Sequence, residues 1–410
     1  MAKVSVVGAG TMGSGIAQTA AQAGWDVCLL DVSADVAAKA IAGIGKRLDR
    51  VVEKGKLAAP ERDAIIARIR AGDGAESARA SDLLIEAVVE DLDAKVRVLA
   101  PLADSAGASC IVASNTSSLS ISKIAAGLSA RCAVGRETVA GRTVGMHFFN
   151  PVPLMPLVEI IAGEVSEPAS VERALSIAAA WKKTAVRAKD TPGFIVNRVA
   201  RGYYLESLRM LGEGIAGVDE IDGTLKTFAK LSMGPFELMD MIGIDVNYAV
   251  SCSVWEQMGR PPRLEPHPIQ RALVEQQHLG RKSKRGFYSY QTEHPVPAVP
   301  VDRRSFELPG ELHEAVRRFF SGAVEGDASS TEQYIVSRVL ATIINEAALA
   351  VDDGVAVEAD IDIAMKLGTN YPFGPFGLAD RVGRFTCAAM LRALDRFAGP
   401  GRFAPARALG

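Results

Sequence analysis

Several features that would assign a protein to a specialised class are scarce or missing in this sequence of 410 residues. Cysteine occurs only five times, widely spaced and without a CxxC pair, which favours buried reduced thiols over disulfides. There is no HExxH motif and no cluster of histidine and cysteine, so we predict no metal site. No apolar run approaches the ~20 residues of a transmembrane helix, and the N-terminus reads as a strand rather than a secretory signal. We therefore expect a cytoplasmic location and no membrane partner.

The sequence also lacks an excess of charge of either sign. The formal net charge is −2 at pH 7, and hydrophobic residues make up 48% of the chain. This composition is typical of a packed globular protein and gives no overall attraction to nucleic acid. We expect no nucleic-acid partner, and an anionic substrate would need a local basic cluster.

The first 187 residues alternate apolar runs with amphipathic stretches. The runs that predict buried parallel strands are 4–7, 27–30, 83–87, 111–114 and 144–148. The stretches that predict helices are 14–23, 34–54, 60–70, 92–106 and 170–182. This alternation predicts a doubly wound α/β domain of the Rossmann type over residues 1–187.

The rest of the chain has a helical pattern that repeats. Shifting residues 197–243 by 140 positions onto 337–383 matches 14 of 47 residues without gaps, whereas composition alone gives roughly three. We predict two copies of one all-α domain, at 188–290 and 326–410. The segment 291–325, which contains a proline-rich stretch, is predicted to be a linker.

A glycine-rich turn follows the first predicted strand and opens a helix. Gly8, Gly10 and Gly13 form a GxGxxG pattern, in which small residues allow a tight turn and let backbone approach a pyrophosphate. Asp31 ends the second strand, where a carboxylate accepts hydrogen bonds from a ribose and repels a 2′-phosphate. The pattern predicts an NAD site, although Asp31 could instead be a helix N-cap.

One histidine and one glutamate lie in apolar runs on either side of a proline-rich reversal. If the chain turns back at 151–156, His147 and Glu159 face each other. A carboxylate on one imidazole nitrogen fixes the tautomer and leaves the other nitrogen free to take a proton. A lone histidine in such a run is more often a core residue, but a buried carboxylate needs a partner, and this favours a catalytic pair.

Two further polar clusters interrupt apolar surroundings. Residues 114–118 (SNTSS) follow a strand at the edge where open sheets bind ligands, and the same loop could cap the next helix. Asn197 begins the first long helix of the helical region, and its counterpart in the repeat is Ser337. If both residues cap a helix, this would also explain why asparagine stands at 197 and serine at 337. If Asn197 is functional, we expect one active site per chain.

These motifs, in this order, resemble the 3-hydroxyacyl-CoA dehydrogenase family over nearly the whole chain. The matching segments are GAGTMGSGIA, EAVVED, SNTSS, HFFNPVP, KDTPGFIVNR and GPFELMD. The resemblance implies a Rossmann-type domain followed by helical domains similar to the C-terminal domain of 6-phosphogluconate dehydrogenase.

The resemblance also implies roles for individual residues. His147 is expected to be the general base, Glu159 its orienting carboxylate, and Ser117 and Asn197 the partners of the substrate oxygen. Lys54 matches a lysine that contacts coenzyme A, but it could equally be a solvated residue at a helix end. Contacts to NAD are expected from Gly8, Gly10, Thr11, Met12, Gly13, Asp31, Glu90, Lys95, Asn115 and Asn150.

The implied reaction is reversible oxidation of a (3S)-3-hydroxyacyl-CoA to a 3-oxoacyl-CoA, with 3-hydroxybutyryl-CoA or 3-hydroxyadipyl-CoA as substrate. Fatty-acid β-oxidation and phenylacetate catabolism are the expected settings. The alternatives are a dehydrogenase of a free hydroxy acid and a non-catalytic, crystallin-like NAD-binding protein. A distal carboxylate could be met by the basic run 281–285, although a solvated charge run is the simpler interpretation.

The sequence departs from short family members in two places. Residues 131–142 form a longer connection than usual, and the second helical copy is an addition. Since the helical domain of short members pairs two subunits, we hypothesise that residues 326–410 replace the partner and make the chain an intrachain pseudo-dimer. Such a pseudo-dimeric chain could in addition form a homodimer.

Overall fold

A computed structural model describes residues 2–133 and 136–410 of the chain, so part of the long connection at 131–142 lies outside the described residues. The chain divides into two compact units, Met1–Phe194 and Ile195–Gly410. The first unit is an α/β domain and the second is helical. Both predicted fold types are therefore confirmed.

An eight-stranded sheet forms the centre of the first unit, in the order β3-β2-β1-β4-β5-β6-β7-β8. The strands are β1 (Lys3–Val7), β2 (Asp26–Leu30), β3 (Ile69–Ala71), β4 (Leu83–Glu86), β5 (Ile111–Ser114), β6 (Thr143–Phe148), β7 (Leu157–Ala162) and β8 (Thr184–Lys189). Neighbouring strands are parallel except β6 and β7, which form an antiparallel pair.

Within the described residues, the α-helices that accompany this sheet are α1 (Thr11–Gln22), α2 (Ala34–Glu53), α3 (Ala59–Ala67), α4 (Leu92–Ser105), α5 (Ile121–Arg131), α6 (Arg136–Gly141) and α7 (Pro168–Ala180). The central strands are buried along their whole length, as in Leu83–Glu86 and Ile111–Ser114. This explains their continuous apolar sequence, since helices on both sides of a parallel sheet exclude water.

Two strands of this sheet differ from the sequence prediction. The helix predicted over 60–70 ends earlier, and its last two residues belong to β3 (Ile69–Ala71), because three residues are too few to show a period of two. The edge strand Thr184–Lys189 was not predicted. Its polar residues are exposed, so it lacks the apolar run that identified the central strands.

The second unit is built from helices α8 (Val196–Val199), α9 (Arg201–Gly212), α10 (Val218–Phe228), α11 (Pro235–Ile242), α12 (Ile244–Gln257), α13 (Pro268–Glu275), α14 (Gly310–Ala323), α15 (Ser330–Asp352), α16 (Glu358–Thr369), α17 (Pro375–Val382) and α18 (Arg384–Phe397), with a small ribbon of β9 (Tyr288–Ser289) and β10 (Val296–Pro297). Helices α16, α17 and α18 each begin 140 residues after α10, α11 and α12 (218 to 358, 235 to 375, 244 to 384). The repeat in sequence is thus a repeat in structure.

An equivalent aspartate fixes a helix start in each copy. Asp222 accepts hydrogen bonds from the backbone N–H groups of Phe236 (2.9 Å) and Glu237 (3.0 Å). Asp362 accepts the same pair of bonds at the start of α17, at 2.7 and 2.9 Å. These bonds satisfy N–H groups that a helix leaves without partners in its first turn. Asp222 and Asp362 are among the 14 matching residues of the repeat, as are Phe236 and Phe376, so these matches have a structural cause.

The segment predicted as a linker contains a helix. Within 291–325, α14 buries Leu312, Val316, Phe319 and Phe320 against the second copy. Its helical period was overlooked because the proline-rich stretch before it dominated the composition. The adjacent α15 is long and apolar enough to cross a membrane, but 83% of its most apolar window is buried within the structure, as in a core helix.

The two copies are joined by ion pairs that are exchanged symmetrically. Arg198 donates to Glu346 at 2.8 Å, and Arg338 donates to Glu206 at 2.8 Å. Each arginine also reaches an acidic residue at the end of the opposite long helix, Asp353 or Glu213, at 2.6 Å. Since 198 and 338, 206 and 346, and 213 and 353 are equivalent positions in the repeat, the contact has twofold character.

Candidate active site

The glycine-rich turn between β1 and α1 has the geometry of a dinucleotide site. Gly8 has φ of +97°, and a Cβ there would lie 2.6 Å from the Ala87 carbonyl oxygen. A Cβ at Gly13 would overlap the Gly8 carbonyl oxygen. At Gly10 a Cβ would meet nothing within 4 Å, so this glycine is not required by packing. An open position at a helix N-terminus is where a pyrophosphate binds.

Asp31 lies where β2 ends and is tied to the same turn. Its Oδ2 accepts a hydrogen bond from the Ala9 N–H at 2.5 Å, and its Oδ1 accepts one from Val32 at 2.7 Å. The N-cap of α2 is Ser33, whose side chain accepts from Val36, so the capping alternative for Asp31 does not hold. A carboxylate has further lone pairs, and Asp31 can still accept from a ribose. These residues fit NAD.

His147 and Glu159 lie directly opposite each other on β6 and β7. The His147 Nδ1 and the Glu159 Oε2 are 2.6 Å apart, and both side chains are buried. The antiparallel turn of the chain at 151–156 creates this pairing. No residue that the structure describes forms a hydrogen bond with Nε2 of His147. Phe149 and Phe194 pack near the ring, with centroids at 4.6 and 5.8 Å. The pair can accept a proton at Nε2 and stabilise the resulting cation.

The polar loop after β5 is tied to both β6 and the loop after β4. The Asn115 Oδ1 accepts from the Phe148 N–H at 2.9 Å, next to His147. Glu90 Oε1 accepts from the backbone N–H groups of Ser117 and Ser118, each at 2.9 Å. The structure thus brings the predicted residues Glu90, Asn115 and Ser117 to the same edge of the sheet as His147.

The side chain of Lys95 is buried rather than exposed to a bound ligand. It is 1% exposed, and its Nζ donates to Glu86 at 2.7 Å and pairs with Glu90 at 3.0 Å. Its predicted contact with the cofactor stays a prediction. The predicted contact residue Asn150 is exposed and directly follows the His147 strand.

The structure shows no contact between His147 and two further predicted residues, Lys54 and Asn197. Lys54 is exposed at the C-cap of α2, and nothing near it distinguishes coenzyme A binding from simple solvation. Asn197 belongs to the second unit, in α8, where it is half-buried. Its counterpart Ser337 is fully buried and donates to the Val316 carbonyl of α14 at 3.4 Å. The second copy therefore uses this position for packing.

Sequence reasoning missed three residues that organise the first unit. Asp190 accepts from Ser120 and from Ser122, both at 2.7 Å, and so anchors the start of α5. Lys183 donates to the carbonyls of Val152 and Met155, at 2.6 and 2.8 Å, and closes the turn between β6 and β7. Glu86 is buried at the end of β4. A charged residue at the end of an apolar run was the available signal for Glu86.

The described residues contain no group of three or more histidine, cysteine, aspartate or glutamate side chains able to hold a metal ion. A dinucleotide-binding sheet with a buried His–Glu pair at the same edge is the architecture of an NAD-dependent dehydrogenase.

The chain belongs to the 3-hydroxyacyl-CoA dehydrogenase family. The model of that family's NAD binding domain matches residues 3–191, and the model of its C-terminal domain matches residues 193–290 and 334–409. The C-terminal model thus matches both helical copies. The family resemblance, the NAD cofactor and the enzyme class predicted from sequence are confirmed.

Individual relatives agree with this assignment. The chain is 35% identical to 3-hydroxyadipyl-CoA dehydrogenase of Escherichia coli K12, over 98% of this chain and 95% of the relative. A solved structure of 3-hydroxybutyryl-CoA dehydrogenase from E. coli K12 has a TM-score of 0.86 at 34% identity, covering 100% of this chain and 97% of that one.

Other relatives are shorter than this chain. A solved (S)-3-hydroxybutyryl-CoA dehydrogenase from Ralstonia eutropha is 37% identical with a TM-score of 0.66, covering 71% of this chain but 99% of its own.

Proposed function

We propose that this protein oxidises the 3-hydroxyl of a (3S)-3-hydroxyacyl-CoA with His147 as the general base. The observation that carries the proposal is the 2.6 Å contact between His147 Nδ1 and Glu159 Oε2 at the edge of a dinucleotide-binding sheet. It leaves Nε2 to take the hydroxyl proton, while Glu159 stabilises the imidazolium. Bound in the turn of Gly8, Gly10 and Gly13, NAD would supply the acceptor for the hydride of C3.

Other residues are proposed to bind NAD and the substrate. Gly8, Gly10 and Gly13 make room for the pyrophosphate, and Asp31 selects a 2′-hydroxyl over a 2′-phosphate. Ser117 and Asn197 are proposed to hydrogen-bond the substrate oxygen, and Lys54 to contact coenzyme A. The family membership and the packing of the 114–118 loop beside His147 support these roles.

The acyl group is proposed to be short or dicarboxylic, as in 3-hydroxybutyryl-CoA or 3-hydroxyadipyl-CoA. The E. coli relatives carry these two activities in their names. We accordingly propose a place in β-oxidation or phenylacetate catabolism and a cytoplasmic location. The test is steady-state reduction of acetoacetyl-CoA, of longer 3-oxoacyl-CoA esters and of 3-oxoadipyl-CoA with NADH. Equal turnover of free acetoacetate would contradict a thioester enzyme.

We also propose that the second helical copy takes the place of a partner subunit. The exchanged pairs Arg198–Glu346 and Arg338–Glu206 support this, because a self-complementary contact is what a twofold dimer interface contains. Light scattering should then give one chain of 43.3 kDa, with one NADH bound per chain by titration. A mass showing pairing through the first copy, with the second undocked, would contradict the pseudo-dimer.

A further inference from the structure

A fully buried carboxylate joins the two loops that carry Glu90 and Ser117. Glu86 is 0% exposed. Its Oε1 accepts from the Lys95 ammonium at 2.7 Å and from the Val88 N–H at 2.6 Å, and its Oε2 accepts from the Ser114 hydroxyl at 2.7 Å. Val88 lies in the loop after β4, and Ser114 ends β5. One side chain therefore ties the carboxyl ends of two adjacent strands together.

Lys95 extends this connection outward. Its ammonium bridges Glu86 to the Oε2 of Glu90, at 3.0 Å. A buried charge is costly without partners, so the buried pair of Glu86 and Lys95 is confined to one geometry. The Lys95 ammonium in turn holds the carboxylate of Glu90, whose side chain is 36% exposed. Burial alone raises the pKa of Glu90, but Lys95, Thr116 and Ser118 outweigh it and lower the pKa to about 2.

The ionised Glu90 in turn orders the SNTSS loop. Its Oε1 accepts from Thr116 Oγ1 at 2.6 Å and from the N–H groups of Ser117 and Ser118, each at 2.9 Å. The same loop contacts the His147 strand through Asn115. Charge-assisted hydrogen bonds thus run from Glu86 through Lys95 and Glu90 to the SNTSS loop. A neutral hydrogen bond from the Phe148 N–H to Asn115 joins that loop to the His147 strand.

We infer that Glu86 is a positioning residue of the reaction: with Lys95 it holds Glu90 and the SNTSS loop, and thereby Ser117, in register with His147. This inference rests on the proposed function. Glu86 touches no reacting atom, so its contribution is geometric. A displacement of about 1 Å at a catalytic group can cost ~100-fold in rate.

The test uses the full-length variants Glu86→Gln, Lys95→Met and the double variant, assayed for acetoacetyl-CoA reduction with NADH. We expect kcat to fall ~10-fold or more in each, with KM for the thioester within about threefold of wild type. The double variant balances the buried charge, so its melting temperature should lie closer to wild type than those of the single variants. Its kcat should nevertheless stay low.

A pH profile separates positioning from bulk stability. The charged groups near the Glu90 carboxylate are the Lys95 ammonium of α4 and, on the far side of that ammonium, the Glu86 carboxylate of β4. The remaining neighbours are hydrogen-bond donors of Thr116, Ser117 and Ser118. Lys95→Met removes the cation that contributes most to lowering the pKa of Glu90, so this pKa should rise relative to wild type. The acid limb of kcat should therefore move to higher pH than in wild type. Lys95→Arg, which keeps the charge, should restore the wild-type limb.

Glu76→Gln is the matched control, since Glu76 forms an exposed pair with Arg79 in the same unit and should leave kcat unchanged. Wild-type kcat in Glu86→Gln would overturn the inference. So would a double variant that regains wild-type kcat together with stability. The proposed function is tested separately, by whether the wild-type enzyme turns over acetoacetyl-CoA at all. The role of Glu86 is tested by the ratio of kcat in the variant to kcat in the wild type.

Discussion

Arg198 and Arg338 occupy equivalent positions in the two helical copies, and each binds the glutamate of the opposite copy at 2.8 Å. Both guanidinium groups are almost completely buried. Burial opposes their charge, but the facing carboxylates outweigh it and raise the pKa of both arginines. The contact therefore joins the copies through buried charges, and removing one partner leaves the other buried with fewer opposite charges around it.

Arg338→Met should destabilise the protein by about 3–5 kcal/mol, because it leaves Glu206 buried with a weaker counter-charge. Melting temperature and denaturant unfolding measure the loss, and Arg198→Met should behave similarly. Arg317→Met, which breaks an exposed pair with Glu314, is the control and should change stability by less than about 1 kcal/mol. Equal effects at the buried and exposed sites would contradict the role of the exchanged pairs.

The same cluster makes stability depend on pH in the acid range. Burial raises the pKa of Glu206, but Arg338, Arg209 and Arg402 outweigh it and lower the pKa from 4.5 to about 2. A depressed carboxyl pKa contributes stability above pH ~4.5 that is lost as pH falls towards 2. Glu206→Gln should therefore be less stable than wild type at pH 7, with a difference that shrinks between pH 4.5 and 3. A pH-independent difference in melting temperature would argue against this assignment.

His147→Gln should lower kcat by ~100-fold to 10,000-fold while NADH affinity stays near wild type, because the proton acceptor is lost and the cofactor is held elsewhere. Fluorescence titration with NADH and steady-state rates measure the two quantities. His313→Gln, at an exposed position in α14, is the control. Near-normal turnover in His147→Gln would remove this residue from the mechanism.

Gly10→Ala and Gly13→Ala should separate cofactor binding from folding. A Cβ at Gly10 meets no protein atom within 4 Å, so this variant should fold normally but raise KM for NAD at least tenfold. A Cβ at Gly13 overlaps the Gly8 carbonyl, so that variant should lose melting temperature as well. An unchanged KM for NAD in Gly10→Ala would place the pyrophosphate elsewhere.

Asp31→Ala should relax the preference for NAD over NADP, since it removes the carboxylate that repels a 2′-phosphate. The ratio of kcat/KM for the two cofactors measures this. The Ala9 N–H also loses its acceptor, so a modest fall in stability is expected beside it. A wild-type enzyme without a preference for NAD would contradict the assignment of Asp31.

Much of the site was readable from sequence because it depends on local pattern. The GxGxxG turn, Asp31 at the end of a strand and the histidine and glutamate about one proline-rich reversal are short-range signals. Antiparallel pairing across that reversal then fixes the register that places His147 opposite Glu159. The helical repeat was also readable, since equivalent contacts such as those of Asp222 and Asp362 require the same residues.

The sequence by itself determined the fold classes, the dinucleotide turn, the His–Glu pair and the duplication, because period, turn chemistry and repetition are written along the chain. Only the tertiary structure decided which groups Glu86, Lys95 and Asp190 contact, and that α14 packs as a helix within the predicted linker. It also decided that Arg198 and Arg338 exchange partners across the copies. These contacts join residues far apart in sequence, and charge balance in a buried site becomes visible only when its neighbours are in place.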